Sequence, residues 1–177
     1  MITFRQAVQT DTVRLLSLLT EIMEHHSEVP PQPDRLAATL AAILGSPAHS
    51  LLVAESQDEV VGMCGLLFSY STWSASLVCE LQDVVVTAGH RRDGIGRGLM
   101  NAAEAIARAR GCSHLFLLAE AWNFGAHAFY RDLGLAEKTC LYFERDLRAG
   151  ESDPRAGYLR NGGISSPSSE PPVSRGP

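Results

Sequence analysis

The sequence has no hydrophobic run long enough to cross a membrane and no N-terminal export pattern. None of its apolar stretches approaches the ~20 residues that span a bilayer. The opening residues, Met1 to Gln6, lack the charged start and the apolar stretch of a signal peptide. These absences exclude a helical membrane protein and predict a cytoplasmic chain without a membrane partner.

Basic charge and paired cysteines are also scarce. The formal net charge is -5 and the pI is about 5.6, so the balance favours a cationic partner and argues against nucleic acid. The cysteines form no C-x-x-C pair, which predicts free thiols rather than a zinc ribbon, a redox dithiol or a disulfide framework. His90 and His127 have no companions at metal-ligand spacing, so no metal site is predicted. The cysteines are Cys64, Cys79, Cys112 and Cys140.

The chain does contain enough apolar material for one domain. Its 177 residues are 45% hydrophobic, which suits a single compact core. Composition changes after Leu147, because residues 149–177 include five Gly, five Pro and six Ser. Such a segment buries too little surface to offset its ordering entropy. We therefore predict one domain over residues 1–147 and a disordered tail over 148–177.

The spacing of apolar residues predicts ten elements in the order β-α-α-β-β-β-α-β-α-β. Strands two to four follow one another through short turns and are expected to be antiparallel, whereas a helix joins strands four and five and makes them parallel. The expected fold class is α/β (α+β), with a mixed, mostly antiparallel sheet, one parallel strand pair and helices on both faces. The predicted strands cover residues 2–8, 50–55, 60–69, 77–86, 115–119 and 138–144, and the helices cover 34–44, 94–110 and 126–133 together with a first helix capped by Thr10 or Asp11.

A turn rich in glycine and arginine joins the fourth strand to the long helix. Amides at a helix N-terminus lack intrahelical partners and the helix dipole is positive there, so a phosphate binds favourably. Glycines let the backbone approach a ligand closely, and arginines add mobile positive charge. We predict a phosphate-binding loop; the alternative is a plain tight turn with capping glycines. The glycines are Gly94, Gly96 and Gly98, and the arginines are Arg91, Arg92 and Arg97.

Two familiar phosphate loops fail on spacing. A Walker A loop needs a lysine after its second glycine, and a dinucleotide fingerprint needs a further glycine where this chain has Leu99 or Asn101. The pattern R-x-x-G-x-G does match, at Arg91, Gly94 and Gly96, between a hydrophobic strand and an amphipathic helix. This segment resembles the loop that grips the pyrophosphate of acetyl-coenzyme A (acetyl-CoA) in the GNAT family of N-acetyltransferases.

A second motif extends the resemblance over most of residues 1–147. Asn123, followed by Phe129 and Tyr130 and closed by Gly134, is similar to the cofactor-contacting asparagine and the tyrosine-bearing helix of that family. The resemblance implies a set of acetyl-CoA-binding residues. They are Val84, Val85, Val86, Arg91, Arg92, Asp93, Gly94, Ile95, Gly96, Arg97, Gly98, Asn123, Ala126, Phe129 and Tyr130.

Within the family, residues 68–73, 81–86 and 119–123 are more similar to the polyamine and thialysine acetyltransferase branch than to the histone-modifying branch. The chain departs from that branch at two positions. It has Gln82 where the branch usually has glutamate, and Ala121 is an extra residue. The first departure leaves the identity of the general base open.

Acetyl transfer to an amine needs a proton acceptor, a donor to the carbonyl oxygen and an acid for the leaving sulfur. The resemblance gives Tyr130 the acid role, and it assigns the pantetheine and carbonyl contacts to the main chain of Val84 and Val86. Gln82 cannot accept a proton, and Glu80 is the predicted catalytic carboxylate. The full set of candidate proton acceptors is Glu80, Asp83, Glu120, His25 and His26.

Together these carboxylates predict an acidic groove for a cationic acceptor. Asp83 and Glu120 are predicted to bind the substrate, and Trp73 to add a cation–π contact, with ordinary packing as the alternative for a single loop aromatic.

The predicted function is acetyl transfer from acetyl-CoA to a primary amine, carried by a small cationic molecule, by direct attack in a ternary complex. The alternatives are a protein or peptide N-acetyltransferase and a non-catalytic regulatory module that binds acyl-CoA. The family resemblance also implies a homodimer.

Overall fold

The computed structural model describes residues 1–143, 145 and 147. The chain divides into two units, Met1–Cys140 and Leu141–Pro177. The first unit contains every helix and strand assigned below. The tail predicted over 148–177 lies outside the described residues. No helix in the described part is long and apolar enough to cross a membrane.

Five strands and four helices make up the first unit. These elements are connected by turns and loops of up to seven residues and by two single-turn 3-10 helices, at Gln9–Asp11 and Ala88–His90. The strands are β1 (Ile2–Gln6), β2 (His49–Ser56), β3 (Glu59–Ser71), β4 (Ser76–Val86) and β5 (Leu115–Phe116), and the helices are α1 (Thr12–His25), α2 (Pro33–Leu44), α3 (Ile95–Ala109) and α4 (Phe124–Asp132).

The strands form one mixed sheet in the order β1-β2-β3-β4-β5. The first four are antiparallel, and β5 is parallel to β4 through the pairs Cys79–Leu115 and Glu80–Phe116. The helix α3 makes the crossover between β4 and β5, which is why these two strands run in the same direction. The predicted mixed sheet with one parallel pair is confirmed.

Helices cover the sheet on both faces, so there are two apolar layers. Helices α1 and α2 pack on one face, and α3 packs on the other with α4 beside it. Neighbouring residues of β3 point to opposite layers, and β3 is therefore buried without a break from Val60 to Leu66. The α1 layer includes Leu15, Leu18, Leu40, Val53, Met63 and Val85, and the α3 layer includes Cys64, Cys79, Leu81, Leu99, Met100 and Ala103.

Two strand predictions at the C-terminal side of this unit need correction. The buried strand predicted over 115–119 is only two residues long, and Phe116 is 37% exposed. The closing strand predicted over 138–144 is wrong as far as the structure describes it, because residues 138–143 contain no strand. The β4–β5 ladder has only two residue pairs and ends at Phe116. Strand β5 therefore offers a sixth strand very little main chain with which to pair.

Arg5 on β1 holds the start of α1 in place. Its guanidinium donates to the two carboxylate oxygens of Asp11 at 2.7 and 3.0 Å, and its Nε donates to Glu55 of β2 at 2.8 Å. Asp11 also accepts from the Val8 amide at 2.8 Å and is 8% exposed. Asp11 is one of the two residues predicted to cap α1. It precedes the helix but makes no side-chain hydrogen bond to the first amides, and its carboxylate binds Arg5 instead.

Replacing Asp11 with alanine is expected to lower the free energy of unfolding by about 2 kcal/mol, because a buried charged hydrogen-bond network loses its centre. Hydrogen bonds from Arg5 hold the pKa of Asp11 below its ordinary value. The carboxylate therefore stabilises the fold fully above its unfolded pKa, and the contribution disappears as pH falls through the lower folded pKa. Urea unfolding at neutral and acidic pH measures both effects.

Glu59→Ala is the matched control for that measurement. It removes the ion pair with Arg14, a 3.3 Å contact whose carboxylate is 63% exposed, and is expected to cost less than about 0.5 kcal/mol. Equal losses in the two variants, or a loss for Asp11→Ala that persists unchanged in acid, would contradict the role given to Asp11.

Candidate active site

The end of β4 has an open edge. Its pairing with β5 stops at Glu80, so no strand of the described chain pairs with residues 81–86 on that side. On the other side Gln82 pairs with Gly65 and Val85 pairs with Met63, which makes β4 one residue longer than β3 over this stretch. Asp83 sits in the resulting bulge with φ of 49°. The parallel pairing of β4 and β5 ends before residues 81–86, which leaves main-chain groups of β4 without strand partners on that side.

A cavity of about 170 Å³ lies beside this edge. It is lined by the C-terminal end of α1, the end of β4, and one residue from each of two later segments. The carboxyl end of a parallel strand is where open α/β sheets bind ligands. The lining residues are Ile22, His25, His26, Val84, Val85, Val86, Arg91 and Asn123.

Arg91 fixes the predicted phosphate loop to the rest of the site. Its Nε donates to the Val86 carbonyl at 2.9 Å, and its guanidinium donates to the Glu21 carboxylate on α1 at 3.0 Å. The Ala88 amide donates to the same Glu21 oxygen at 3.1 Å. Arg91 is therefore an anchor of the loop rather than the mobile positive charge that the sequence suggested.

The start of α3 remains available to an anion. Gly94 precedes the helix with φ of 78°, and no side chain caps the first amides of α3. Arg92 makes no hydrogen bond or ion pair with any other residue of the described chain, whereas Arg97 pairs with Asp132 of α4. Orphan amides, the positive end of the helix dipole and an uncommitted arginine are features that favour an anion at this position. The residues before the helix, Arg91, Arg92, Asp93 and Gly94, are exposed, and Ile95 is buried.

The other two loop glycines allow helices and strands to approach. A Cβ at Gly96 would lie 3.2 Å from the Phe129 ring of α4. A Cβ at Gly98 would lie 2.0 Å from the Phe4 ring of β1. Close packing against Phe4 therefore explains the glycine at position 98. At Gly94 the surroundings are open, and the positive φ of the turn explains the glycine.

The second motif, from Asn123 to Gly134, forms α4 and its ends, and α4 lies beside the start of α3, with Phe129 next to Gly96. The Asn123 side chain accepts from the Ala126 amide at 3.1 Å and caps α4. The Phe129 and Tyr130 rings lie 5.2 Å apart, and Tyr130 is half-buried in the α3 layer. Burial, with a smaller contribution from Cys64, raises the pKa of Tyr130 to about 12. No residue in the described chain forms a hydrogen bond with its hydroxyl, which leaves that group for a ligand.

The predicted acceptor-binding residues do not line the cavity. Glu80 is half-buried in the ladder beside Phe116, and Glu120 is exposed before α4. Burial raises the pKa of Asp83 in the bulge, although the residue keeps exposed surface. Trp73 is 99% exposed in the β3–β4 turn, roughly 30 Å along β4 from the cavity.

Sequence reasoning gave no site role to three residues that the structure places at the site. Glu21 anchors the loop, Ile22 lines the cavity, and the Trp122 ring lies 5.1 Å from the His26 ring. The available signal was the spacing on α1, where Glu21 and His25 are four residues apart and share a face. In the described part of the chain no three side chains form a group that could hold a metal ion.

Comparisons with known proteins agree with this geometry. The family model "Acetyltransferase (GNAT) family" matches residues 13–135. A thialysine N-epsilon-acetyltransferase from Bos taurus is 32% identical over 155 residues, which are 79% of this chain and 91% of the relative. A streptothricin acetyltransferase from Streptomyces lavendulae is 46% identical over 89 residues, 50% of this chain and 45% of the relative.

Solved structures support the same fold. A putative acetyltransferase from Agrobacterium tumefaciens superposes with a TM-score of 0.71 at 26% identity, and the match covers 81% of this chain and 99% of that one. The predicted family and fold are therefore confirmed. The chain belongs to the GNAT family and is an acetyl-CoA-dependent N-acetyltransferase.

Proposed function

We propose that this protein transfers the acetyl group to the primary amine of a small cationic molecule, with acetyl-CoA and the amine bound together. The main observation behind this proposal is the cavity at the end of β4. It adjoins the unpaired edge of β4, and Arg91 of the phosphate loop is part of its lining. An extended pantetheine arm suits a strand edge, and a pyrophosphate suits an uncapped helix N-terminus.

The chain's own groups fit acetyl-CoA at two places. The uncapped amides from Gly94 to Arg97, with Arg92 beside them, would hold the pyrophosphate. The main chain of Val84 and Val86 would hold the pantetheine arm, although Arg91 already bonds the Val86 carbonyl. Asn123, Ala126 and Phe129 would line the α4 side.

The proposed chemistry uses groups of the chain around the reacting atoms. Acetyl-CoA supplies an acetyl group activated as a thioester. A main-chain N–H at the end of β4 would donate to the acetyl carbonyl oxygen, where negative charge develops. Tyr130 would donate its hydroxyl proton, as a hydrogen bond, to the leaving sulfur.

Cysteine burial supports direct transfer over an acetylated enzyme. An acyl-enzyme route needs a reactive nucleophile. Burial raises the pKa of Cys64 to about 12 and that of Cys79 to about 11, so both are neutral thiols near pH 7. No cysteine lines the cavity.

The acceptor is proposed from the relatives and from charge. The relatives above are named for thialysine and streptothricin, which favours a small amine over a protein. The net charge of -5 favours a cation. The expected cytoplasmic location and homodimer stay predictions.

A thiol-release assay with acetyl-CoA tests the proposal. The acceptors are thialysine, streptothricin, spermidine and a lysine peptide, each at several concentrations. Product analysis is expected to show acetylation of a small amine, and initial rates at varied concentrations of both substrates are expected to give intersecting double-reciprocal lines. Release with the peptide alone, or parallel lines, would contradict the small-amine or ternary-complex part respectively.

Glu80, Asp83 and Glu120 lie outside the cavity lining, so their carboxylates act on a cationic amine through their field as it approaches. Neutralising them one at a time is expected to raise the KM of the amine about two- to threefold and to leave the KM of acetyl-CoA constant, because only the amine is cationic. Glu104→Gln on α3 is the control, since its ion pair with Arg108 lies on an exposed helix surface. If all three variants keep the parent's amine KM, the acidic groove is excluded.

A further inference from the structure

The cavity contains very few groups that can accept a proton. Of its eight lining residues only His25, His26 and Arg91 have ionisable side chains. Arg91 is a permanent cation bonded to Glu21 and to the Val86 carbonyl, so it cannot serve as a base. The lining therefore offers two imidazoles and no carboxylate.

The two histidines are held differently. His26 follows the last residue of α1, and its main-chain N–H donates to the Ile22 carbonyl at 3.0 Å. Its half-buried ring meets Trp122 edge-on, with centroids 5.1 Å apart and planes at 68°. His25 is exposed, and its ring lies 5.7 Å from the His26 ring and near no other aromatic ring of the described residues. His26 is thus the imidazole that packing orients.

Trp122 connects that imidazole to the rest of the site. It is the residue immediately before Asn123, which lines the same cavity and caps α4. The ring is 43% exposed, so one side packs on His26 while another remains accessible. An oriented base beside the reacting atoms is the arrangement that general base catalysis requires.

We propose that His26 is the general base of the reaction and that Trp122 is its positioning residue; this assignment rests on the proposed function. As the amine nitrogen bonds to the acetyl carbon it becomes positively charged and loses a proton. The N–H bond breaks, its electron pair stays on nitrogen, and the proton bonds to an imidazole nitrogen of His26, which becomes cationic. The other ionisable side chains of the lining are His25, next to His26 at the end of α1, and Arg91, which is paired with Glu21 of α1. Glu120, two residues before Trp122, lies outside the lining.

The acidic side of the pH profile tests the assignment. Histidine is the side chain that ordinarily titrates between pH 5 and 8. For the best acceptor among thialysine, streptothricin and spermidine, His26→Gln is expected to lower kcat about 30- to 100-fold at pH 7. The variant is also expected to lose the acidic limb of the kcat profile, while its acetyl-CoA affinity by calorimetry stays within twofold.

Three further variants locate the effect. His25→Gln is expected to keep the acidic limb, because that imidazole is not held against Trp122. His114→Gln, on the segment before β5, is the control and is expected to match the parent. Trp122→Phe is expected to lower kcat about three- to tenfold with the limb retained, because the base is present but less well oriented.

The outcomes separate this inference from the proposed function. A parent protein that acetylates none of thialysine, streptothricin and spermidine overturns both. An active parent whose His26→Gln variant keeps both rate and acidic limb overturns the His26 assignment alone, as does transfer of the effect to His25→Gln. Thermal unfolding monitors folding, and His26→Asn provides a second variant that suits a helix C-terminus, so a poorly folded glutamine variant does not decide the result.

Discussion

Gly96→Asp is expected to weaken acetyl-CoA binding by about 100-fold, which corresponds to about 2.7 kcal/mol. The substitution places a carboxylate in the first turn of α3, among amides that no side chain caps. A negative charge a few Å from a bound pyrophosphate is strongly unfavourable at the moderate effective dielectric of a protein surface. Calorimetric titration with coenzyme A measures the effect without any acceptor.

Gly96→Asn separates charge from shape. Either side chain places a Cβ about the same distance from the Phe129 ring, which lies 3.2 Å from the position that atom would occupy. Any loss of coenzyme A affinity that the two variants share is therefore due to altered packing between α3 and α4. The asparagine variant is expected to lose no more than about tenfold in affinity, because it adds no charge.

Salt adds a second measurement to this pair. Screening weakens repulsion between exposed charges. The difference in coenzyme A affinity between Gly96→Asp and Gly96→Asn is therefore expected to decrease as ionic strength rises. Equal affinities for the two variants at low salt, with both folded, would mean that the pyrophosphate does not lie at this helix start.

The local part of the site was predictable from the sequence. The Arg91-to-Gly96 pattern between a strand and a helix indicates an anion loop because the needed amides are supplied by neighbouring residues of the chain. Asn123 as a cap for α4 follows from an equally short-range rule, an asparagine three residues before the amide it bonds. The strands β2 and β3 and the helix α3 also follow from their apolar spacing.

The parts that depend on distant residues were not predictable. Arg91 is neutralised by Glu21, which is 70 positions earlier, and no local pattern connects them. Gly98 is explained by Phe4 of β1, a contact that exists only once α3 lies on the sheet. Apolar spacing likewise predicts a strand over 138–144, whereas the described residues 138–143 form none, because β propensity depends on the neighbouring strands against which a segment can pack.

Tyr130→Phe is expected to reduce kcat about 100-fold with little change in acetyl-CoA affinity. The substitution keeps the ring that packs in the α3 layer and removes a hydroxyl that bonds no residue of the described chain. Stability is therefore expected to change little, which thermal unfolding checks. Tyr70→Phe is the control, because Tyr70 is 86% exposed on β3 and belongs to no part of the proposed site.

The raised pKa of Tyr130 sets the form of the pH profile. At about 12, it keeps the proton on the hydroxyl at every pH of a normal assay, so Tyr130 is expected to produce no basic limb below about pH 11. A phenol of this pKa is a weak acid, so its aid to a leaving sulfur whose thiol has a pKa near 8.5 is a hydrogen bond in the transition state.

Tyr130→Phe should therefore lower the whole profile and leave its shape unchanged, in contrast to the His26→Gln variant, which should lose the acidic limb. The comparison requires that the chemical step limits kcat. Measuring kcat with acetyl thioesters whose thiols differ in pKa tests this, because kcat depends on the leaving group only when chemistry is limiting. If chemistry is limiting and Tyr130→Phe keeps the parent's kcat, the ring only packs at the site and water protonates the sulfur.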